Sequence, residues 1–443
     1  MKNISMSFLL VAMAVQAVAA PVVSNVSMTQ VPNTCLVTVK YQLSGDPGVI
    51  TLDIQTNYVE NAETKWASIG PENMLGFGGD VHQVVQPTTG DEYRTIYWHP
   101  ETYWPGPPKV AGTARAVVTA WATNAPPDYM IVHLVSPYDV TYYPHVEMVP
   151  GGITNIMYKG EYMPFRKIPA KGVVWWAGLP TNHLNYTAAA YPHKVMLTDD
   201  YYMGVYEVTY AQKAAIEEGA PTTNRRAARG IGFQTCRGST TGLNSWPTYK
   251  QDGTFDYEAS HSVNLGWFCG KMRTKIGLLF DLPTEHQWEY ACRAGSPGTV
   301  YTDTVPTLSF TDTEAGELIC RFSGNKSTPD CEGRYDSNNE TATVGSYAPN
   351  AWGLYDTLGN LGEVCLDWYE DWDHLYAEAG KVYVDPVGPE QGSRTKKIHR
   401  GYNLTTGIGI GQWALSIGGR QGCGRLYGST DTDQGVRLCV TLH

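Results

Sequence analysis

The sequence predicts two domains of different class: an all-β sandwich over residues 20–145 and an α+β domain of low regular secondary structure over residues 166–443, with a linker at 146–165. Three observations lead there. Apolar and polar residues alternate in short runs between turn signals in the first third of the chain. From about Tyr158 onward, Trp and Tyr cluster among glycines, and only two stretches combine helical spacing with a cap. A chain of 443 residues is also too long for one typical core.

Met1-Lys2-Asn3 carries one positive charge and leads into the apolar stretch Phe8 to Val18, then Ala17-Val18-Ala19 before Ala20-Pro21. This is the pattern of a secretory signal peptide over residues 1–19, so the mature chain is expected to be secreted, periplasmic or at the cell surface. The apolar stretch is shorter than the roughly 20 residues that span a bilayer, and no later segment is apolar enough to do so. Cys35, Val37, Val39 and Tyr41 then alternate with other residues, as do Ile50, Leu52 and Ile54 after the turn Gly45-Asp46-Pro47-Gly48. Ala114 to Trp121 and Tyr129 to Leu134 bracket Pro126-Pro127-Asp128, and short strands of this kind predict an immunoglobulin- or fibronectin-like sandwich. Pro150-Gly151-Gly152 and Gly160 give the linker its turn chemistry. Beyond it, Thr209 to Glu218 is predicted helical with the Thr209 hydroxyl as cap, and Thr284 to Arg293 with Thr284 and Gln287 at capping-box spacing. Trp288, Ala291 and Cys292 share one face of the second helix, which is expected to be buried.

A formal net charge of -11 and the lack of a basic run exclude nucleic acid as the main partner. All nine cysteines lie in the mature part, enough for up to four disulfides, and Cys320 with Cys331 is the first pairing expected. Cys292, Cys365 and Cys439 sit in apolar stretches, where they serve equally as small buried hydrophobes. No Cys/His spacing suits zinc.

Four blocks in order carry a resemblance: Val195 to Thr209, Leu282 to Gly295 (LPTEHQWEYACRAG), Asn350 to Trp368 (NAWGLYD through GNLGE) and Gly435-Val436-Arg437-Leu438. Together the sequence resembles the sulfatase-modifying-factor family, whose founding activity is formylglycine generation. The resemblance implies a C-type-lectin-like fold for residues 166–443 and a bacterial source. It also implies a structural calcium, held by Asp356, the carbonyls of Gly359 and Leu361, and Glu363. Two carboxylates across a Gly-Asn turn are hard oxygen donors of the kind calcium takes.

Members with formylglycine-generating activity hold copper(I) on two cysteines five residues apart, after an RGGSW turn. Here Arg400-Gly401-Tyr402-Asn403-Leu404 is followed by Thr405 to Arg420 without a cysteine, so copper is not supported. Iron is not supported either, because the H-x-x-x-H-x-E signature of the family's other oxidising branch is absent and no two histidines stand at ligand spacing. Both tryptophans of the family's GN-x-WEW segment are lost at Gly359 to Val364, and Lys171 to Gly178 replaces its GTF-x-MG strand.

The expected function is a non-catalytic, calcium-stabilised binding module whose partner is a cell-surface, carbohydrate or peptide ligand. Gly407 to Gly428 combines eight glycines with Trp413, Arg420, Arg425 and Tyr427, the candidate ligand-facing residues. The alternative is a formylglycine-generating-type oxidoreductase with a rearranged site, which requires Cys236, Cys269 or Cys423 to meet in an accessible cleft with a lowered thiol pKa. A variable-loop receptor on the same fold would be rich in Asn and Tyr over its last 40 residues, and this tail is not.

Overall fold

The computed structural model describes residues 19–102, 113–181, 188–238, 246–296, 318–325, 329–334, 340–392, 394–404, 421–423 and 434–442. The chain divides between Pro126 and Pro127 into two compact units.

In the first unit β1 (Val22–Gln30), β2 (Val37–Ser44), β3 (Gly48–Glu60), β4 (Glu63–Ser68), β5 (Phe77–Gly79), β6 (Val84–Val85), β7 (Arg94–Trp98) and β8 (Ala114–Ala122) form two antiparallel sheets. One has the order β1-β2-β7-β5; in the other β3 pairs with β4, β6 and β8. Val39, Tyr41 and Leu43 alternate inward on β2, as expected, while β3 buries Val49, Ile50, Thr51 and Leu52 in succession. Gly45 closes the turn between them at φ +82°, where a Cβ would stand 2.4 Å from the Ala20 carbonyl oxygen.

The second unit begins earlier than alternation alone indicates. Its five-stranded sheet has the order β10-β9-β11-β14-β20, built from β9 (Tyr129–His133), β10 (Asp139–Tyr143), β11 (Tyr162–Ile168), β14 (Tyr201–Gly204) and β20 (Cys439–Thr441). Residues 129–145, expected in the sandwich, therefore contribute two strands here, and the expected linker 146–165 runs into the middle strand. Alternation reports that a segment is a strand but not which sheet it joins; Tyr162 to Arg166 supplies the partner register for His133 to Tyr129. A second sheet joins β12 (Val174–Ala177), β13 (His193–Met196) and β16 (Val382–Val384). A third joins β18 (Gln421–Cys423), β17 (Lys397–Arg400), β15 (Gly362–Trp368) and β19 (Gln434–Gly435). With few and short helices, this is the sheet-rich, mixed architecture expected from the composition.

Both expected helices are present. α1 (Tyr210–Glu217) and α5 (Glu285–Arg293) start on complete capping boxes, Thr209 with Gln212 and Thr284 with Gln287. α5 is buried on nearly every side, with Glu285, His286 and Glu289 as deep as Trp288, Ala291 and Cys292. Among the described residues, α2 (Phe233–Arg237), α3 (Tyr257–Ser260), α4 (Phe268–Ile276) and α6 (Trp372–Leu375) were not foreseen. α4 has no side-chain cap and carries Gly270, whose added Cβ would lie 2.2 Å from the Asn264 carbonyl oxygen; tertiary contact rather than local signal sets it.

Candidate functional site

The Gly-Asn turn between Asp356 and Glu363 is fixed by backbone that only particular residues adopt. Asp356, Gly359 and Asn360 all have positive φ, and a Cβ at Gly359 would stand 2.3 Å from the Arg321 carbonyl oxygen. The turn brings Asp356 and Glu363 into one interior cluster, joined by Glu207 and Arg437, and all four are at most 1% exposed. Asn360 Nδ2 and the Leu361 amide donate to Glu207 at 2.6 and 3.1 Å. Arg437 Nε donates to both oxygens of Glu363 at 3.1 and 3.0 Å, and its Nη2 donates to Oε1 at 2.5 Å. Its remaining donors reach the carbonyl oxygens of Gly204, Val205 and Tyr355. Trp288 Nε1 donates to Glu363 Oε2.

Three carboxylates thus face one guanidinium, with the Lys159 ammonium further out. Burial, reinforced by the charges of Glu363 and Asp356, holds the Glu207 carboxyl well above its usual range despite Arg437. Burial likewise pushes Asp356 up to about 6, against the Gly345 amide and Arg437. Asp356 Oδ2 accepts from Gly345, while Oδ1 has no hydrogen-bond partner among the described residues. This open oxygen can take a cation, whose charge would offset the cost of ionising Asp356 in the interior. Glu363 does not in this arrangement: four donor contacts meet its oxygens, which fills the roughly four lone-pair sites of a carboxylate. Glu363 would ligate an ion only after Arg437 or Trp288 released it. The sequence reading missed Glu207 and Arg437; a charged residue inside an apolar run, as in Tyr206-Glu207-Val208 and Val436-Arg437-Leu438, was the available signal.

The thiols are arranged differently from what was expected. Cys320 and Cys331 are not bonded: Cys320 is buried in a core cluster with Trp288, Ile319 and Leu358, whereas Cys331 is exposed beside Lys159. Flanking a loop in sequence did not bring their side chains to one place. Cys292, Cys365 and Cys439 are buried thiols, in keeping with their apolar sequence settings. Cys236 and Cys269 do meet, with sulfurs 3.0 Å apart, but both are fully buried, and burial raises the Cys236 thiol pKa well above its usual value. An oxidase needs the opposite, an accessible thiol of lowered pKa. Cys423 lies on β18, where only the main chain is described.

Histidines that sequence spacing left separate also converge. His193 Nε2 and His286 Nε2 lie 2.9 Å apart, and one donor atom each of Glu285, His286 and Asp367 fall within 4.8 Å of one another. Trp372 Nε1 donates to Glu285, and the Glu285 amide donates to Asp367 at 2.7 Å. These internal bonds make the cluster a cross-link between α5, β13, β15 and α6.

On the surface, the sheet β12-β13-β16 turns Trp175, Val195 and Tyr383 toward the core. Its other face carries Val174, Trp176, Lys194, Met196, Val382 and Val384, with Val174, Trp176 and Val384 exposed by 50, 60 and 51%. Solvated sheet faces are ordinarily polar. The expected ligand residues Trp413, Arg420, Arg425 and Tyr427, and the expected signal peptide but for Ala19, lie outside the described residues.

Residues 148–434 match the family described as "Sulfatase-modifying factor enzyme 1-like domain". A formylglycine-generating enzyme of Streptomyces coelicolor is 38% identical over 114 residues, covering 25% of this chain and 32% of that protein. The chain thus spans about a third of that relative's length. The "Chaperone protein LppX" of Paenibacillus barcinonensis is 25% identical over 194 residues, 41% of this chain and 67% of its own. Among solved structures, Treponema denticola variable protein 1 aligns at 23% identity and TM-score 0.41, over 63% of this chain and 95% of that one.

Proposed function

Because the chain belongs to the sulfatase-modifying factor family, we propose that it is an exported, non-catalytic member acting as a binding module, with an immunoglobulin- or fibronectin-like N-terminal sandwich as spacer. The observation that carries this reading is the outer face of β12-β13-β16, where Trp176 is exposed on one face with Val174, Val382 and Val384 and the Lys194 ammonium lies over its ring. Burying that face against a carbohydrate or peptide at a cell surface removes apolar area from water, at about 25 cal/mol per Å². Support also comes from the stretch after Arg400, which offers no thiol pair, and from Cys236 and Cys269, which are sealed.

The test uses the full mature protein. Retention on intact bacterial and host cells, and on glycan and peptide arrays, is measured for wild type and Trp176→Ala, and binding that Trp176→Ala weakens at least tenfold supports the face. Conversion of a sulfatase-motif cysteine peptide to formylglycine by the copper-treated protein would overturn the non-catalytic reading.

Calcium belongs to the same proposal as an interior counter-charge taken by Asp356, with the Gly359 and Leu361 carbonyls and with Glu363 once Arg437 yields. Plasma mass spectrometry after dialysis against calcium reads it directly, with about one calcium per chain expected from this four-ligand set.

A further inference from the structure

We propose that Cys236 and Cys269 form a disulfide that ties α2 to α4 when the chain folds in an oxidising environment. Their sulfurs stand 3.0 Å apart, inside the separation at which two unbonded sulfurs settle, and bonding at about 2.05 Å asks for only about 1 Å of further approach. The backbones that present them are held independently of the sulfurs. Arg237, next to Cys236, pairs through Nε with Asp281 at 2.8 Å, and its carbonyl oxygen accepts from Asn264. Asn264 in turn packs against Gly270, next to Cys269, so closely that no Cβ fits. One chain of contacts therefore fixes both cysteines at bonding range.

The reaction balances as thiol–disulfide exchange. Two S–H bonds break and one S–S bond forms; the two electrons and two protons pass to a disulfide oxidant such as oxidised glutathione, which leaves as two thiols. Because both sulfurs are fully buried, the exchange takes place before α2 packs on α4, or during local opening. The bond removes from metal or redox chemistry the two thiols that an oxidase reading would recruit. Among the described side chains it leaves Cys35, Cys292, Cys320, Cys331, Cys365 and Cys439 as free thiols.

The test is refolding of the full chain from guanidinium in a glutathione redox buffer, followed by tryptic mapping without reductant. The expected product links the peptide Gly230–Arg237 to the peptide Gln251–Lys271 and separates on reduction. Recovery of both peptides as free thiols, or of either linked to Cys423 or another cysteine, overturns the proposal. Export is read separately, by the N-terminal sequence of protein recovered from a periplasm, so failure of one reading is distinguishable from failure of the other.

Discussion

Asp281 offers the sharpest test of how the second unit is held together. Its carboxylate is 2% exposed, forms an ion pair with Arg237 Nε at 2.8 Å and accepts from Arg273 Nη2 at 3.2 Å and the Leu282 amide at 2.8 Å, with His261 Nδ1 also at 2.8 Å. Burial alone would raise its pKa, but Arg237, His261 and Arg273 together outweigh burial and lower it from 3.8 to about 2. That depression corresponds to about 2.5 kcal/mol, at 1.36 kcal/mol per unit. A depressed carboxylate contributes this stability above its unfolded pKa and loses it as pH falls through the folded one, so the window runs from about pH 5 down to 2. Asp281→Asn keeps the shape and removes the charge, stranding the fully buried Arg237 guanidinium. A loss of about 3–5 kcal/mol at pH 7 is expected. Urea denaturation followed by tryptophan fluorescence at pH 7 and pH 3 measures it, and the gap between wild type and variant should narrow at the lower pH. A loss under about 1 kcal/mol at pH 7, or a gap that does not narrow, refutes the reasoning.

Glu289→Gln should cost about 3–5 kcal/mol in the same assay, because the Glu289 carboxylate pairs with both Arg293 and the fully buried Arg400. Thr284→Ala removes the oxygen that accepts from the Gln287 amide at the start of α5, and about 1 kcal/mol should be lost. For calcium, Asp356→Asn is expected to abolish any melting shift that the ion produces in wild type. In EDTA at pH 7.5 the same variant should be no less stable than wild type, since burial has already pushed Asp356 up to about 6 and ionising it there opposes folding. The handicap is largest above pH 6 and disappears below about 4, so the variant's advantage should shrink on acidification; a variant advantage that grows toward pH 4 would contradict this.

Much of the frame could be read from residues alone. The Thr284/Gln287 and Thr209 signals gave two helices within a residue of their observed ends, because a cap and its periodic face are local. The blocks from Val195 to Leu438 gave the family, now matched over residues 148–434. Strand partners were not legible: Tyr129 to His133 reads as a strand like its predecessors, yet joins a sheet whose last strand, β20, ends at Thr441, 308 residues after His133. α4 was invisible as well, since its helix depends on a close approach to Asn264 that no propensity records.

The sequence by itself determined which residues are acidic, aromatic or thiol-bearing, the family to which their spacing belongs, and the lack of a cysteine between Arg400 and Arg420. Only the tertiary structure decided which charges meet. Glu363 faces Arg437 across 74 residues, Glu207 faces Asn360 across 153, and Cys236 faces Cys269 across 33. The physical reason is one of range: caps and alternation act over a few residues, whereas the desolvation and pairing of a buried charge depend on every segment that closes around it.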